Sequence, residues 1–228
     1  MPEPPSASIA EVISRMEAIE AALPASDGLA CFNRMYLEVT QKVDAQVKAG
    51  FFADPGFVTQ LDVTFANLYF AAADAAGQAE SVPAAWRPLI EQRADGRIEP
   101  IQFALAGMNA HINHDLPIAV VQACLALNTS PAAGDHHADY QKVDQLLDSI
   151  EQSVRRSFES RPELLVDRHL RAVCNLIGNW SITSARDVAW SNSLLLWQVR
   201  GDVLAYQLAC DGLAASTDLA SHLLLVDV

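Results

Sequence analysis

The sequence predicts an all-α fold, a single-domain bundle of several helices around a central kinked one. Three observations carry this reading. Apolar residues recur at helical spacing in one segment after another, and alternating β-branched runs are scarce. One stretch, residues 101–120 (IQFALAGMNAHINHDLPIAV), is apolar on nearly every side and contains no Lys, Arg or Glu. A helix of that kind is normally the buried centre of a bundle. The 228 residues suffice for one good core, and no boundary marks a second. Residues 1–228 therefore read as one helical domain with a loose, Pro-rich start at 1–6.

Fifteen basic against 28 acidic residues give a net charge of −13, the wrong sign for nucleic acid or an anionic membrane surface. No run of apolar residues is long enough to predict a membrane span. The opening MPEPPSASIAEV lacks the basic and apolar regions of a secretory signal. Cys31, Cys124, Cys174 and Cys210 are scattered without metal-binding spacing and read as small buried residues of a cytoplasmic protein.

The elements follow in order. SIAEVISRMEAIEAAL carries Ile9, Val12, Ile13, Met16, Ile19 and Leu23 on one side of a first helix. Ser26 or Asp27 caps a second, which has Phe32, Tyr36, Val39, Val43 and Val47 at helical spacing. On its wet face Arg34 and Glu38 are placed to pair at i, i+4. GFFADPGF is a turn with aromatics that look exposed. The third helix, FVTQLDVTFANLYFAAADAAG, has Val58, Leu61, Phe65, Leu68, Tyr69 and Ala72 as its stripe, with Asp62 beside it. Asp62 is either the solvated edge of that helix or an acid projecting into the core.

Residues 78–100 predict a loop, a short helix anchored by Trp86 and Leu89, and a turn at ADG. Within the central segment, His111 and Asp115 are neighbours one turn apart and His114 lies to the other side of His111, all within about a third of the circumference. Met108 lies on the same stripe. Pro117 either ends this helix, since the residue before Pro avoids the α region, or kinks a continuous one. PIAVVQACLAL resumes helical composition at once, which favours the continuous, kinked reading.

After the loop NTSPAAGDHHADY comes a helix with Val143, Leu147, Ile150 and Val154 on one stripe, topped by Asp139 and, one turn back, His136. The plain reading of Asp139 is a first-turn acid meeting the helix dipole. SRPELLVDRHLRAVCNLIGNW opens on Pro162 and closes near Gly178, with His169 among arginines on its surface. ARDVAWSNSLLLWQVRGDVLAYQLACDGLA reads as one helix, with Arg186, Trp190 and Trp197 on a shared stripe. Arg186 near a helix N-terminus opposes the dipole and calls for an acidic partner, either Asp187 or an inward carboxylate. Residues 218–228 form a short apolar tail that must dock, with His222 structural.

Buried His and Asp are costly alone and tolerable as a paired cluster or around a metal. The candidate catalytic groups are His111, His114, Asp115, Asp139 and Arg186. In one version His111, Asp115, Asp62 and Asp139 hold a divalent metal such as zinc, iron or manganese. In the other, a histidine is a general acid or base oriented by an aspartate. Tyr69, Met108, Trp190 and Trp197 would then wall a pocket for a small apolar or amphipathic molecule. The ferritin-like pattern needs Glu-x-x-His, which the central helix lacks. No phosphate loop, dinucleotide fingerprint or serine elbow is present. The competing class is a non-catalytic binding or scaffold protein whose His/Asp cluster only fixes helix register.

DGLACFNRMYLEVT with LDVTFANLYF, and GMNAHINHDLPIAV followed by DYQKVDQLL, resemble a bacterial family of unknown function described as all-helical. The resemblance implies the fold and supplies no activity. His111 and Asp115 are also similar in spacing to the His-x-x-x-Asp ligands of the zinc-dependent phospholipase C and nuclease fold, which would imply zinc.

Overall fold

Each long helix whose start is described begins on a polar side chain or a proline, and those starts set the bundle. The computed structural model describes residues 4–77, 82–159 (backbone alone for 148–159) and 181–226, and no strand occurs among them. The helix expected over 162–178, with His169 and Cys174, lies outside the described residues. Ser8 accepts from the Glu11 N–H to open α1 (Ile9–Ala22), and Asp27 accepts from the Leu29 N–H to open α2 (Gly28–Lys48). Asp54 accepts from the Phe57 N–H at the start of α3 (Pro55–Asp74), with Pro55 in the first turn. The short α4 (Arg87–Gln92) follows a 3-10 turn, Ala84–Trp86, in which Trp86 is fully buried. Further on come α7 (His136–Glu159), α8 (Ile182–Val199) and α9 (Val203–Leu224).

The central segment is one helical run in three pieces: α5 (Pro100–Ala110), a π-turn at His111–Asp115 and α6 (Leu116–Ala126). The helix therefore continues through Pro117. The Leu116 N–H reaches back five residues to the His111 carbonyl, so the irregularity is an extra residue in the ladder. The wider turn also makes room for the Pro117 ring, which in an unbroken α ladder would press on the Asn113 carbonyl. α5 packs against α2 and α9, and α6 against α3 and α8. Four helices thus pack along the segment, in keeping with its all-round apolarity.

The α2–α5 crossing is set by two reciprocal pairs. A Cβ at Gly107 would stand 2.4 Å from the Phe32 ring, and one at Gly28 would stand 2.5 Å from the Phe103 ring. Each glycine sits one turn from the phenylalanine on its own helix, so each helix offers a notch and a knob to the other. Both rings are buried.

Several local expectations need correction. Arg34 pairs with Glu20 of α1 at 2.8 Å, while Glu38 takes Lys42, because α1 lies within reach of the Arg34 side chain. Phe52 and Phe57 are buried rather than exposed. Asp139 accepts from the N–H groups of Ala53 and Asp54 and pins that loop against α7. The start is not loose as far as residue 6, since Ser6 exchanges two backbone bonds with the Asn67 side chain at 2.8 and 2.9 Å. The last long helix is broken at 200–202, where Asp202 caps α9 through the Ala205 N–H. The tail does dock: the Gln102 amide donates to the Leu224 and Val226 carbonyls, and Leu225 is buried. His222 is exposed, its ring on the Asp218 carbonyl one turn back.

Gly107→Ala is expected to cost about 1–3 kcal/mol by overpacking against Phe32. Gly212→Ala, with nothing within 4 Å of its added Cβ, is expected to be neutral or stabilising by about 0.5–1 kcal/mol. Urea unfolding of both variants checks the contrast.

Candidate functional site: a polar cavity centred on His111

Asp115 is the anchor of the site. The residue is buried, and its carboxylate meets three N–H groups. Trp86 Nε1 donates to Oδ2 at 2.9 Å, His111 Nδ1 lies 2.9 Å from the same oxygen, and His114 Nδ1 lies 2.7 Å from Oδ1. Burial alone would raise this carboxyl, but the bonds to His111 and His114 hold it below its ordinary value, so it is charged. A carboxylate can only accept, which assigns the proton of each imidazole to Nδ1. In the neutral ring Nε2 is then a bare acceptor.

His111 is held in an aromatic cage. Phe65 stacks on it with centroids 3.4 Å apart and planes 6° apart, and Tyr36 meets it edge-on at 4.5 Å. Phe32 and Trp86 approach at 5.7 and 5.9 Å. Burial lowers the His111 pKa despite the pull of Asp115 in the other direction, so the ring is neutral at neutral pH. Its Nε2 is buried and has no partner in the protein.

That ring borders a cavity of about 90 Å³ between α2, α3, the π-turn, α7 and α8. The wall is mainly apolar, with Met35, Val39, Val58, Met108, Leu147 and Ile182. Tyr36, Asp62, His111 and Arg186 supply its polar groups. Tyr36 Oη and Asp62 Oδ2 are, like His111 Nε2, buried without a protein partner. Burial first, and then the Asp44 charge, raise Asp62 to about 7. Burial, followed by the Asp62 and Asp115 charges, pushes the Tyr36 phenol well above its usual range. Arg186 is already engaged: it bonds Asp144 Oδ1 at 2.5 Å and the Tyr140 carbonyl at 2.7 Å, and lies over the Tyr140 ring. Its acidic partner is thus Asp144 on α7, neither Asp187 nor one of the inward carboxylates named from sequence.

The structure brings His111, Asp115, Asp62, Met108 and Arg186 to this region and leaves other expected members elsewhere. His114 shares Asp115 but does not border the cavity. Asp139 is fully buried at the 51–54 loop, where burial would raise its carboxyl but Lys142 and the Asp54 and Ala53 N–H groups hold it below its ordinary value. With both oxygens so engaged it neither orients His111 nor completes a metal centre. His136 stacks on Phe57 at 4.0 Å and bonds the Ser130 carbonyl, next to the same loop. Trp190 stacks on the exposed His137 at 4.6 Å, Trp197 lies under Arg200, and Tyr69 donates to Asn33. None of these three rings walls the cavity. Among the described residues no three His, Cys, Asp or Glu side chains are arranged to hold a metal ion. Periodicity did not identify the partnership of Trp86 with Asp115, because the two are 29 residues apart. The signal for Phe65 was present, since it follows Asp62 by three residues on the same face.

The family whose model matches residues 9–227 is described as "Family of unknown function (DUF5995)", and the chain belongs to it. No curated protein and no solved structure matches the chain, so the similarity to the zinc-dependent phospholipase and nuclease fold finds no support.

Two outcomes follow from the geometry. Trp86→Phe keeps the ring and removes one donor to a buried charge, and is expected to lower stability by about 1.5–3 kcal/mol in denaturant melts. Asp62 gains a proton on folding at pH values between its unfolded pKa of about 3.9 and its folded value of about 7, so it lowers stability progressively as pH rises through that window. Asp62→Asn is therefore expected to leave stability near pH 4 little changed and to raise it at pH 8, by at most about 4 kcal/mol. Melts of both proteins across pH 4–8 test the sign.

Proposed function

We propose that this member of the family binds a small, largely apolar molecule in the His111 cavity and acts on it by general acid–base catalysis. The observation that carries the reading is that three residues lining one mainly apolar cavity, Tyr36 on α2, Asp62 on α3 and His111 in the π-turn, each carry a buried polar atom without a protein partner. Each such atom costs about 1–3 kcal/mol if nothing bonds it. A ligand with a polar end placed among them would recover that cost. His111 Nε2 is the base, and Asp115 with Trp86 are positioning residues that fix its tautomer and ring plane. Asp62 and Tyr36 are the groups able to donate. The metal-assisted version is set aside, because Asp139 is engaged elsewhere.

A second reading is a structural network, favoured by the completeness of the Asp115 bonds, which tie the π-turn to the Ala84–Trp86 turn. Free Cys31, Cys124 and Cys210 support a reducing compartment, the cytoplasm. Among the described residues no helix is long and apolar enough to cross a membrane.

Titration with neutral four- to six-carbon fragments separates the readings. Saturable binding is expected to perturb the His111 imidazole resonances. At about ten times Kd it is expected to raise Tm by roughly 3–5 °C. Filling the cavity with Val58→Phe should abolish both effects while the protein stays folded. A fragment set that leaves the His111 signals and Tm unmoved would sink the binding reading and favour the network.

A further inference from the structure

We infer that the cavity takes an uncharged carbonyl compound, its oxygen received by Tyr36 Oη and the Asp62 carboxyl and its adjacent C–H turned to His111 Nε2, and that the reaction is α-proton transfer. This rests on the binding reading above and adds the chemical class. The three polar atoms are not interchangeable. His111 Nδ1 is committed to Asp115, so Nε2 offers only a lone pair. Tyr36 offers an O–H, and its phenol holds that proton firmly in this environment. Asp62 makes no ion pair among the described residues, and its burial keeps a substantial fraction of it protonated at neutral pH, when it too is a donor. Three residues lining the cavity therefore carry one acceptor and two donors without protein partners, beside Arg186, which is already engaged, and mainly apolar neighbours.

That set discriminates among ligands. An anion would enter without a free cation to offset its charge, since the one guanidinium among the described lining residues is held by Asp144 and the Tyr140 carbonyl. A hydrocarbon would leave all three atoms unbonded. A simple amine would meet two donors and one acceptor in the wrong proportion. A carbonyl oxygen accepts two hydrogen bonds, and the weakly acidic C–H beside it suits the lone pair.

The step balances without an added reagent. Nε2 removes the α-proton, the C–H pair becomes a C=C bond, and the carbonyl π pair moves to oxygen. The Tyr36 and Asp62 protons stabilise the charge that develops there. If the Nε2 proton exchanges with solvent before it is returned to the same carbon, the result is α-hydrogen exchange, and return to a conjugated carbon shifts a double bond. The charged Asp115 stabilises the imidazolium that exists between the two transfers.

The test uses the intact chain with cyclopentanone, its hydrocarbon isostere methylenecyclopentane, and isobutyrate as the anion. Cyclopentanone is expected to bind about tenfold more tightly than the hydrocarbon. Tyr36→Phe and Asp62→Leu should each weaken the ketone and leave the hydrocarbon within about twofold, whereas Asp62→Asn, which keeps an N–H donor, should still bind it. In D2O the protein is expected to accelerate α-deuteration of cyclopentanone, followed by NMR, with His111→Gln slowing it by about 100-fold or more. Thermal melts confirm that each variant is folded. If ketone and hydrocarbon bind alike, if isobutyrate binds best, or if bound ketone deuterates no faster than in buffer, the carbonyl assignment is overturned while the pocket reading stands. If none of the three binds, both fall.

Discussion

A single buried carboxylate, Asp115, holds the central helix, the Trp86 turn and two imidazoles in one arrangement. Its three N–H partners come from positions 86, 111 and 114, and its side chain is 3% exposed. A charge taken out of water is tolerable only when its lone pairs are met in good geometry, and removing one donor from such a group typically costs about 1.5–3 kcal/mol. The consequence is stiffness. His111 cannot turn without abandoning the carboxylate, nor tilt without leaving Phe65, so the bare Nε2 is fixed in direction.

Polar satisfaction is distributed unevenly. Around Asp115 and Asp139 the donors and acceptors are matched, and these acids do structural work: one ties two turns together, the other clamps the loop before α3. Elsewhere the matching stops: Asp62, Tyr36 and His111 line a mainly apolar cavity, and Asp62 Oδ2, Tyr36 Oη and His111 Nε2 are buried without protein partners. The fold supports a rigid, saturated side against which an unsaturated one is presented. Proteins retain such local costs where a site needs them.

The sequence made a good part of this legible, for reasons that can be stated. The one-turn spacing of His111 and Asp115 fixes their contact whatever surrounds the helix, and all-round apolarity places that helix inside. Asp62 was legible as an acid beside an apolar stripe, with its direction left open. What was not legible depends on distance along the chain. Trp86 reaches Asp115 across 29 residues, Asp144 reaches Arg186 across 42, and Asp139 finds the 53–54 backbone across more than 80. Periodicity places a residue on a face and does not name what that face meets. Trp190 and Trp197 went wrong for this reason: their shared stripe was real, but it faces Tyr140, His137 and the α6–α8 contact.

The π-turn has one last implication. Its additional residue advances the phase of everything downstream by about 100° relative to an unbroken extension of α5. The faces that α6 turns to α3 and α8 therefore depend on five residues, His111–Asp115, which also carry the imidazoles and the carboxylate. Chemistry and topology share the same short stretch of chain. Excising a single residue there would regularise the helix and, in the same act, misalign half the bundle, which leaves this segment free to change in composition only where length is conserved.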